Sequence, residues 1–264
     1  MHHTMSRVII SIVVVTTALI NGLSDAEAAS WWKPKPGTSW QIQYSGRINL
    51  RLDVDVYNLD LFDTSAATIA SLQDKGQRVI CYFSAGSYED WRTDASRFPD
   101  AAIGKPLDGW DGEWWLDIRN SQVKTSMKKR LDLAATKGCD GVDPDNIDGY
   151  TQDSGFNFSA SDQITYNTFL ATEAHKRELA IGLKNDLGQI KPLVNLFDYA
   201  VNEQCFAYDE CALLKPFITA AKPVFNIEYG SSATVRRVCP TANTLNFDTL
   251  VKNLSLDAKR TACR

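Results

Sequence analysis

Histidine is scarce: three occur in 264 residues, and His2 and His3 stand at the extreme N-terminus. Only His175 remains in the body of the chain, on a predicted helix. A Ser-His-Asp triad or a multi-histidine zinc site therefore has no material to work with. No G-x-S-x-G, P-loop or dinucleotide glycine pattern occurs, and no metal or cofactor is implied. Positive charge is also short, with 28 Lys and Arg against 32 Asp and Glu, a net charge of −4. No basic stripe is left to neutralise phosphates, which excludes nucleic acid as a partner. Beyond residue 29 no apolar run is long enough to span a bilayer.

The first 29 residues read as a signal peptide. Arg7 supplies the positive start, Val8 to Ile20 an apolar run of about 13 residues, and Ala26-Glu27-Ala28 the small-residue cleavage site. An uncleaved membrane anchor is the alternative. Residues 30–264 then form one secreted domain, monomeric by default. All six cysteines lie in that part, which fits an oxidising compartment. Cys205 and Cys211 face each other across a short loop, and Cys239 and Cys263 bracket the C-terminal segment. Both pairs are expected to bridge. Cys81 and Cys139, each on or beside a predicted strand, read either as buried thiols or as a third bridge. Asn157 and Asn253 stand in glycosylation sequons.

Taken in order, the chain reads as strands alternating with helices. The expected strands are Trp40–Tyr44, Asp55–Phe62, Arg78–Phe83, Glu113–Asp117, Gly141–Asp143, Ala180–Asn185, Tyr199–Glu203 and Pro223–Glu228. Helices are expected over 64–75, capped by Thr64 or Asp63, over 121–137, capped by Ser121, and over 162–179, 188–196, 209–221 and 247–254. Residues 88–112 form a long loop rich in Asp, Gly, Pro and Trp, and a loop of that length is usually functional. Eight strands alternating with helices over about 230 residues favour a closed (β/α)₈ barrel over an open sheet.

The chain is organised around Gly138-Cys139-Asp140-Gly141-Val142-Asp143-Pro144-Asp145-Asn146-Ile147-Asp148-Gly149, four aspartates within nine residues. Pro144 stops a strand ladder, so Asp145 and Asp148 fall just past a strand's C-terminal end, where barrel enzymes keep their chemistry. Aspartates there also cap helices and hold turns. A calcium loop is disfavoured because Ile147 stands where a ligand belongs. Other strands end in Asp60, Asp117, Glu203 and Glu228, with Lys184 and Asn185 on the sixth. Clustered carboxylates without histidine suit glycoside hydrolysis, which needs one carboxyl as acid and one as nucleophile or base. Trp91, Trp110, Trp114, Trp115, Tyr82 and Tyr229 are candidates to stack on sugar faces, though each alone is more often core. Glu203 in isolation also reads as an ion-pair partner for a lysine. Spacing alone does not choose the pair.

Seven segments in order carry a resemblance: Trp40-Gln41-Ile42-Gln43-Tyr44, Tyr57-Asn58-Leu59-Asp60-Leu61-Phe62-Asp63, Val79-Ile80-Cys81-Tyr82-Phe83-Ser84-Ala85-Gly86, Trp115-Leu116-Asp117-Ile118-Arg119, the aspartate stretch, Gly182-Leu183-Lys184-Asn185 and Asn202-Glu203-Gln204-Cys205. Together they resemble glycoside hydrolase family 114, the endo-α-1,4-polygalactosaminidases. The resemblance implies a (β/α)₈ barrel that cuts α-1,4-linked galactosamine in microbial exopolysaccharide. It also implies Asp145 and Glu203 as the catalytic carboxylates, ahead of Asp140 and Asp143. The expected reaction is retaining, with Asp145 as nucleophile and Glu203 as acid/base. Asp60, Asp117, Asp148 and Glu228 are expected to pair with the polymer's ammonium groups, and Tyr82, Lys184, Asn185 and Tyr229 to complete the substrate site. The rivals are a barrel hydrolase for another amino sugar or an α-galactoside, and a non-catalytic polysaccharide-binding protein.

Overall fold

The computed structural model describes residues 1–2 and 31–264, so the expected signal peptide, apart from its first two residues, lies outside the described residues. Residues Trp31–Arg264 form one unit. Strand β1 (Trp40–Gln43) pairs in parallel with β2 (Val56–Asp60), and β2 with β3 (Arg78–Ser84). The chain then leaves the barrel for β4 (Ser87–Glu89), β5 (Ile103–Pro106) and β6 (Glu113–Leu116). It returns through β7 (Gly141–Asp145) alongside β3. The parallel order continues with β8 (Ala180–Lys184), β9 (Tyr199–Glu203), β10 (Val224–Tyr229) and β11 (Asp248–Lys252). A short β12 (Thr261–Ala262) pairs antiparallel with β11. Helix α1 (Ala66–Gln73) follows β2, α2 (Ser121–Lys137) precedes β7, and α3 (Ala160–His175) follows it. Short α4 (Ile190–Leu193), α5 (Lys215–Thr219) and the longer α6 (Ser232–Thr244) follow β8, β9 and β10. The architecture is the (β/α)₈ barrel that the alternation predicts.

Two expected elements change identity. Glu113–Asp117 is not a barrel strand. Its core, β6, is the middle of a separate antiparallel sheet ordered β4-β6-β5. The eighth barrel strand is instead β11, where a helix was expected over 247–254. All five β11 residues are buried. Short apolar runs do not reveal whether their partner is parallel, antiparallel or helical, and tertiary pairing decides. Helix α6 escaped the sequence reading because Pro240 sits inside it, which ordinarily breaks a helix. Capping shifts by one residue: Ser65 caps α1, and Asn120 caps α2 by accepting from the N–H groups of Gln122 and Val123. Gly138 ends α2 at φ 84°, a left-handed value that suits glycine.

Strand alternation divides the side chains into two sets. Trp40, Ile42, Val56, Ile80, Ala180, Tyr199, Val201, Phe225, Ile227 and Leu250 form the barrel interior. The opposite parity, with Leu59, Cys81, Phe83, Val142, Leu183 and Ala200, packs against the helices. Gly182 is required by the interior, since a Cβ there would stand 2.4 Å from the Tyr199 ring. No ladder joins β11 to β1 among the described residues. Side chains and the C-terminal segment fill that seam. Trp40 Nε1 donates to Asp248 O at 2.7 Å, Lys252 Nζ to Gln41 Oε1 at 3.2 Å, and Tyr44 N to Leu256 O at 2.9 Å.

Three disulfides fasten the frame. Cys81–Cys139 ties β3 to the approach of β7, Cys205–Cys211 closes the loop after β9, and Cys239–Cys263 ties α6 to the tail. Three bridges fit an oxidising compartment. The Cys81–Cys139 bridge closes a loop of 58 residues and restricts the unfolded chain most. Replacing both cysteines by alanine should lower the unfolding free energy in urea by about 2–4 kcal/mol. An unchanged midpoint and slope would show that this bridge adds nothing.

Candidate active site

Inward parity brings Asn58, Asp60, Tyr82, Asp143, Asp145, Lys184, Glu203 and Tyr229 to the C-terminal end of the barrel. Lys184 occupies the centre. Its Nζ lies 3.2 Å from Asp145 Oδ1 and 3.4 Å from Glu203 Oε2. The lysine side chain is 3% exposed, against 19% and 25% for the two carboxylates, so the acids reach solvent and the cation does not. Burial alone would lower the Lys184 ammonium. Asp145, Glu203 and Asp143 outweigh it and hold the group well above the usual lysine range.

The two carboxylates have different partners. Asp145 accepts from Tyr82 OH at 3.1 Å and from the Asn146 N–H at 2.8 Å. Glu203 accepts from the Tyr229 hydroxyl, and its backbone N–H donates to Asn185 Oδ1 at 3.0 Å. Asn185 also receives the Asn202 amide at 3.2 Å. Asp145, Glu203, Lys184, Tyr82, Tyr229 and Asn185 therefore stand together at the mouth.

Beneath them lies a layer the sequence reading passed over. Asp143, fully buried, accepts from Asn58 Nδ2 at 2.8 Å and Tyr44 OH at 3.1 Å. Burial raises its pKa to about 6 even though Lys184 opposes the rise. Strand alternation is the signal that could have found it, since Asp143 shares the parity of Asp145. Asp140, at the opposite end of β7, is held by Arg78 and Gln73.

Three expected substrate residues have other partners. Asp60 takes the guanidinium of Arg92 on both oxygens, at 3.1 and 2.7 Å, and the N–H groups of Phe62 and Asp63. Its hydrogen-bonding capacity is used within the fold. Asp117 follows β6 rather than a barrel strand, and the Arg119 guanidinium holds its carboxyl below the usual range. Glu228 lies between inward Ile227 and Tyr229, hence on the helix-facing side, where it accepts from the Phe206 N–H at 3.0 Å.

A cleft of ≈430 Å³ opens beside Glu203, within the size range of small-ligand sites. Asp148, Tyr150, Asp186, Tyr208 and Glu210 line it with Glu203. Of the expected residues, Asp148 and Asn185 are in this wall. Burial, and then the Asp145 charge, raise Asp148 to about 6. Asp186 is 3% exposed and accepts from Asn167 Nδ2 at 2.9 Å. Burial, and then Asp148, raise it to about 8.

A raised carboxyl pKa stabilises the fold most below the unfolded value of 3.8, and that stability is lost as pH rises through the folded value. The unfolding free energy should therefore fall between about pH 4 and pH 8, and Asp186→Asn should remove on the order of 5 kcal/mol of that fall. Urea denaturation across this range checks it. Equal slopes for the two proteins would refute the assignment to Asp186.

A model of Glycoside-hydrolase family GH114 matches residues 22–264. The chain is similar to Aspergillus fumigatus Ega3, solved in complex with galactosamine. The two share 42% identity over 88% of this chain and 97% of that one, with a TM-score of 0.85. Two more distant structures share the fold alone. The glycoside hydrolase domain of PelA from Pseudomonas aeruginosa has 15% identity, a TM-score of 0.68 and coverage of 85% of this chain and 98% of that one. The α-galactosidase TtGalA from Thermus thermophilus has 12% identity, a TM-score of 0.58 and coverage of 86% and 59%. No curated protein sequence matches the chain. A family match over nearly the whole length, joined to a carboxylate pair at the mouth of a (β/α)₈ barrel, places the chain in glycoside hydrolase family GH114.

Proposed function

We propose that the protein is a secreted endo-acting hydrolase of α-1,4-linked galactosamine polymer, with Asp145 as nucleophile and Glu203 as acid/base. The observation that carries the pair is the single buried ammonium shared by these two partly exposed carboxylates. Contacts of both carboxylates to one ammonium admit the retaining separation of about 5–5.5 Å, the course proposed here. The substrate follows from similarity to a protein solved with galactosamine.

The partners support the division of roles. Asp145 has two partners that can only donate, the Asn146 N–H and the Lys184 ammonium, and these favour a carboxylate. Each carboxylate also has a tyrosine hydroxyl, Tyr82 for Asp145 and Tyr229 for Glu203, but Glu203 has the longer contact to Lys184 and no donor-only backbone N–H, and its tyrosine can accept a hydrogen bond from the acid form. In the first step Asp145 bonds to the anomeric carbon while Glu203 gives its proton to the departing glycosidic oxygen. Glu203, now ionised, then takes a proton from water. That water's oxygen bonds to the anomeric carbon and releases Asp145.

The test is to incubate the protein without its signal peptide with partly deacetylated α-1,4-galactosamine polymer and to size the products by mass spectrometry. Wild type should release short oligomers. Asp145→Asn and Glu203→Gln should release none while still binding the polymer. Cleavage surviving in both variants refutes the residue assignment. No cleavage by folded wild type refutes the substrate.

A polymer with free amines is cationic, and Asp148, Glu203 and Glu210 offer it carboxylates across the cleft. Raising salt from about 0.1 M to 1 M shortens the screening length from about 10 Å to about 3 Å. KM for the deacetylated polymer should rise several-fold, and KM for a fully N-acetylated one should not. A salt-independent KM would remove ammonium pairing from the account.

A further inference from the structure

We propose that Glu113 is a positioning residue for the nucleophile. A directed hydrogen-bond chain through Ser87 and Ser84 makes its buried carboxylate orient Asn146, whose N–H holds Asp145. The inference rests on the reading of Asp145 as nucleophile. Glu113 lies on β6, outside the barrel, and is 6% exposed.

Its Oε2 accepts from Ser87 Oγ at 2.7 Å. With Glu113 ionised, that contact uses the only proton on the Ser87 hydroxyl. Across the 2.6 Å contact between the serines, Ser84 must therefore donate and Ser87 accept. Ser84 Oγ is then left as an acceptor, for the Ser87 N–H at 3.0 Å and for Asn146 Nδ2 at 2.9 Å. The same amide stands 3.2 Å from Ser87 Oγ. An acceptor at the far end thus sets the direction of every link. Asn146 sits at φ 59°, a left-handed conformation that asparagine adopts more readily than most residues, and the Ser84 contact fixes its side chain there. Its N–H donates to Asp145 Oδ1 at 2.8 Å.

The backbone is fixed by the same excursion. The N–H groups of Ala85 and Gly86 donate to Asp145 O at 2.8 and 3.1 Å, and Leu116 N donates to Gly86 O at 2.9 Å. A Cβ on Gly86 would fall 1.7 Å from Asn146 O, so the approach is closed to any larger residue. Glu113 faces Glu89 across the β4–β6 ladder. Glu89 has a partner in Arg92 at 2.7 Å, whereas no ion pair to Glu113 forms among the described residues. Burial raises Glu113 to about 7 against the pull of the Ser87 hydrogen bond. A buried carboxyl without a cation is costly to keep, and a role in holding the nucleophile accounts for it.

The test compares kcat and KM of wild type, Glu113→Ala, Glu113→Gln and Ser87→Ala on α-1,4-galactosamine polymer, with Asp145→Asn alongside. Glu113→Ala and Ser87→Ala should lose up to about a hundredfold in kcat with KM unchanged, the scale of a reacting group displaced by about 1 Å. Glu113→Gln keeps an acceptor for Ser87 and should recover most of the loss. Wild-type kcat in folded Glu113→Ala and Ser87→Ala overturns the proposal. So does a change confined to KM, or a failure of Glu113→Gln to rescue. If Glu113→Ala does not fold, Ser87→Ala, which removes one hydroxyl, decides. An active Asp145→Asn overturns the nucleophile and this inference together. An inactive one beside an unaffected Ser87→Ala overturns this inference alone.

Discussion

One buried ammonium, Lys184, holds the site together. Three carboxylates, Asp143, Asp145 and Glu203, act on it within the mouth of the barrel, and their charges outweigh its desolvation. Without that cation, like charges this close would oppose one another and the fold would carry uncompensated buried charge. With it, two carboxylates stand partly exposed at a set spacing while the third stays buried beneath. The lysine also has little freedom to swing. It is 3% exposed and lies near the face of the Tyr82 ring, 5.8 Å from its centroid.

Strand parity delivers these groups. Each barrel strand alternates between the interior and the helix layer, so a single-residue register choice decides whether a polar side chain reaches the mouth. Asp143 and Asp145 flank Pro144 on β7, Lys184 ends β8 and Glu203 ends β9, all in the inward set. Glu228 on β10 shows the other outcome. One position from the inward Tyr229, it faces Phe206 and takes a backbone hydrogen bond there. The antiparallel excursion between β3 and β7 does a different job. Its pairs Arg92 with Asp60 and Glu89, and Arg130 with Asp94, form a buried charge layer beside β7. Asp60, an inward strand-end acid, is absorbed into that layer.

Much of this was legible in the sequence. Apolar runs punctuated by glycine and capped helices marked seven of the eight barrel strands. The aspartate stretch and the residues of the later strand ends marked the mouth. What was not legible depends on distant partners. Nothing near Glu113-Trp114-Trp115-Leu116 announces an antiparallel pairing with Ser87–Glu89, because the partner is set by where the chain turns after β3. Nothing near Asp60 announces Arg92, 32 residues away. Alternation, had it been applied to every strand, would have separated Glu228 from the site and added Asn58 and Asp143 to it. It would not have found Glu113, whose connection to Asp145 runs through side-chain hydroxyls on two different sheets.

The charge pattern bears on the kind of sugar the mouth suits. A net charge of −4 over 264 residues produces little field by itself. At the mouth, however, Asp145 and Glu203 share one lysine, and Asp148, Asp186 and Glu210 line the cleft beside Glu203. Asp186 is raised to about 8 and so is mostly protonated at neutral pH, whereas Asp148, at about 6, is mostly ionised. The local balance therefore stays negative after Lys184 is counted. A neutral sugar would leave that imbalance in place and add desolvation to it. A sugar bearing an ammonium would offset it, and most fully above about pH 6, where Asp148 carries its charge. Such a site would gain affinity for an ammonium-bearing sugar from the same carboxylate excess that its buried lysine only partly neutralises.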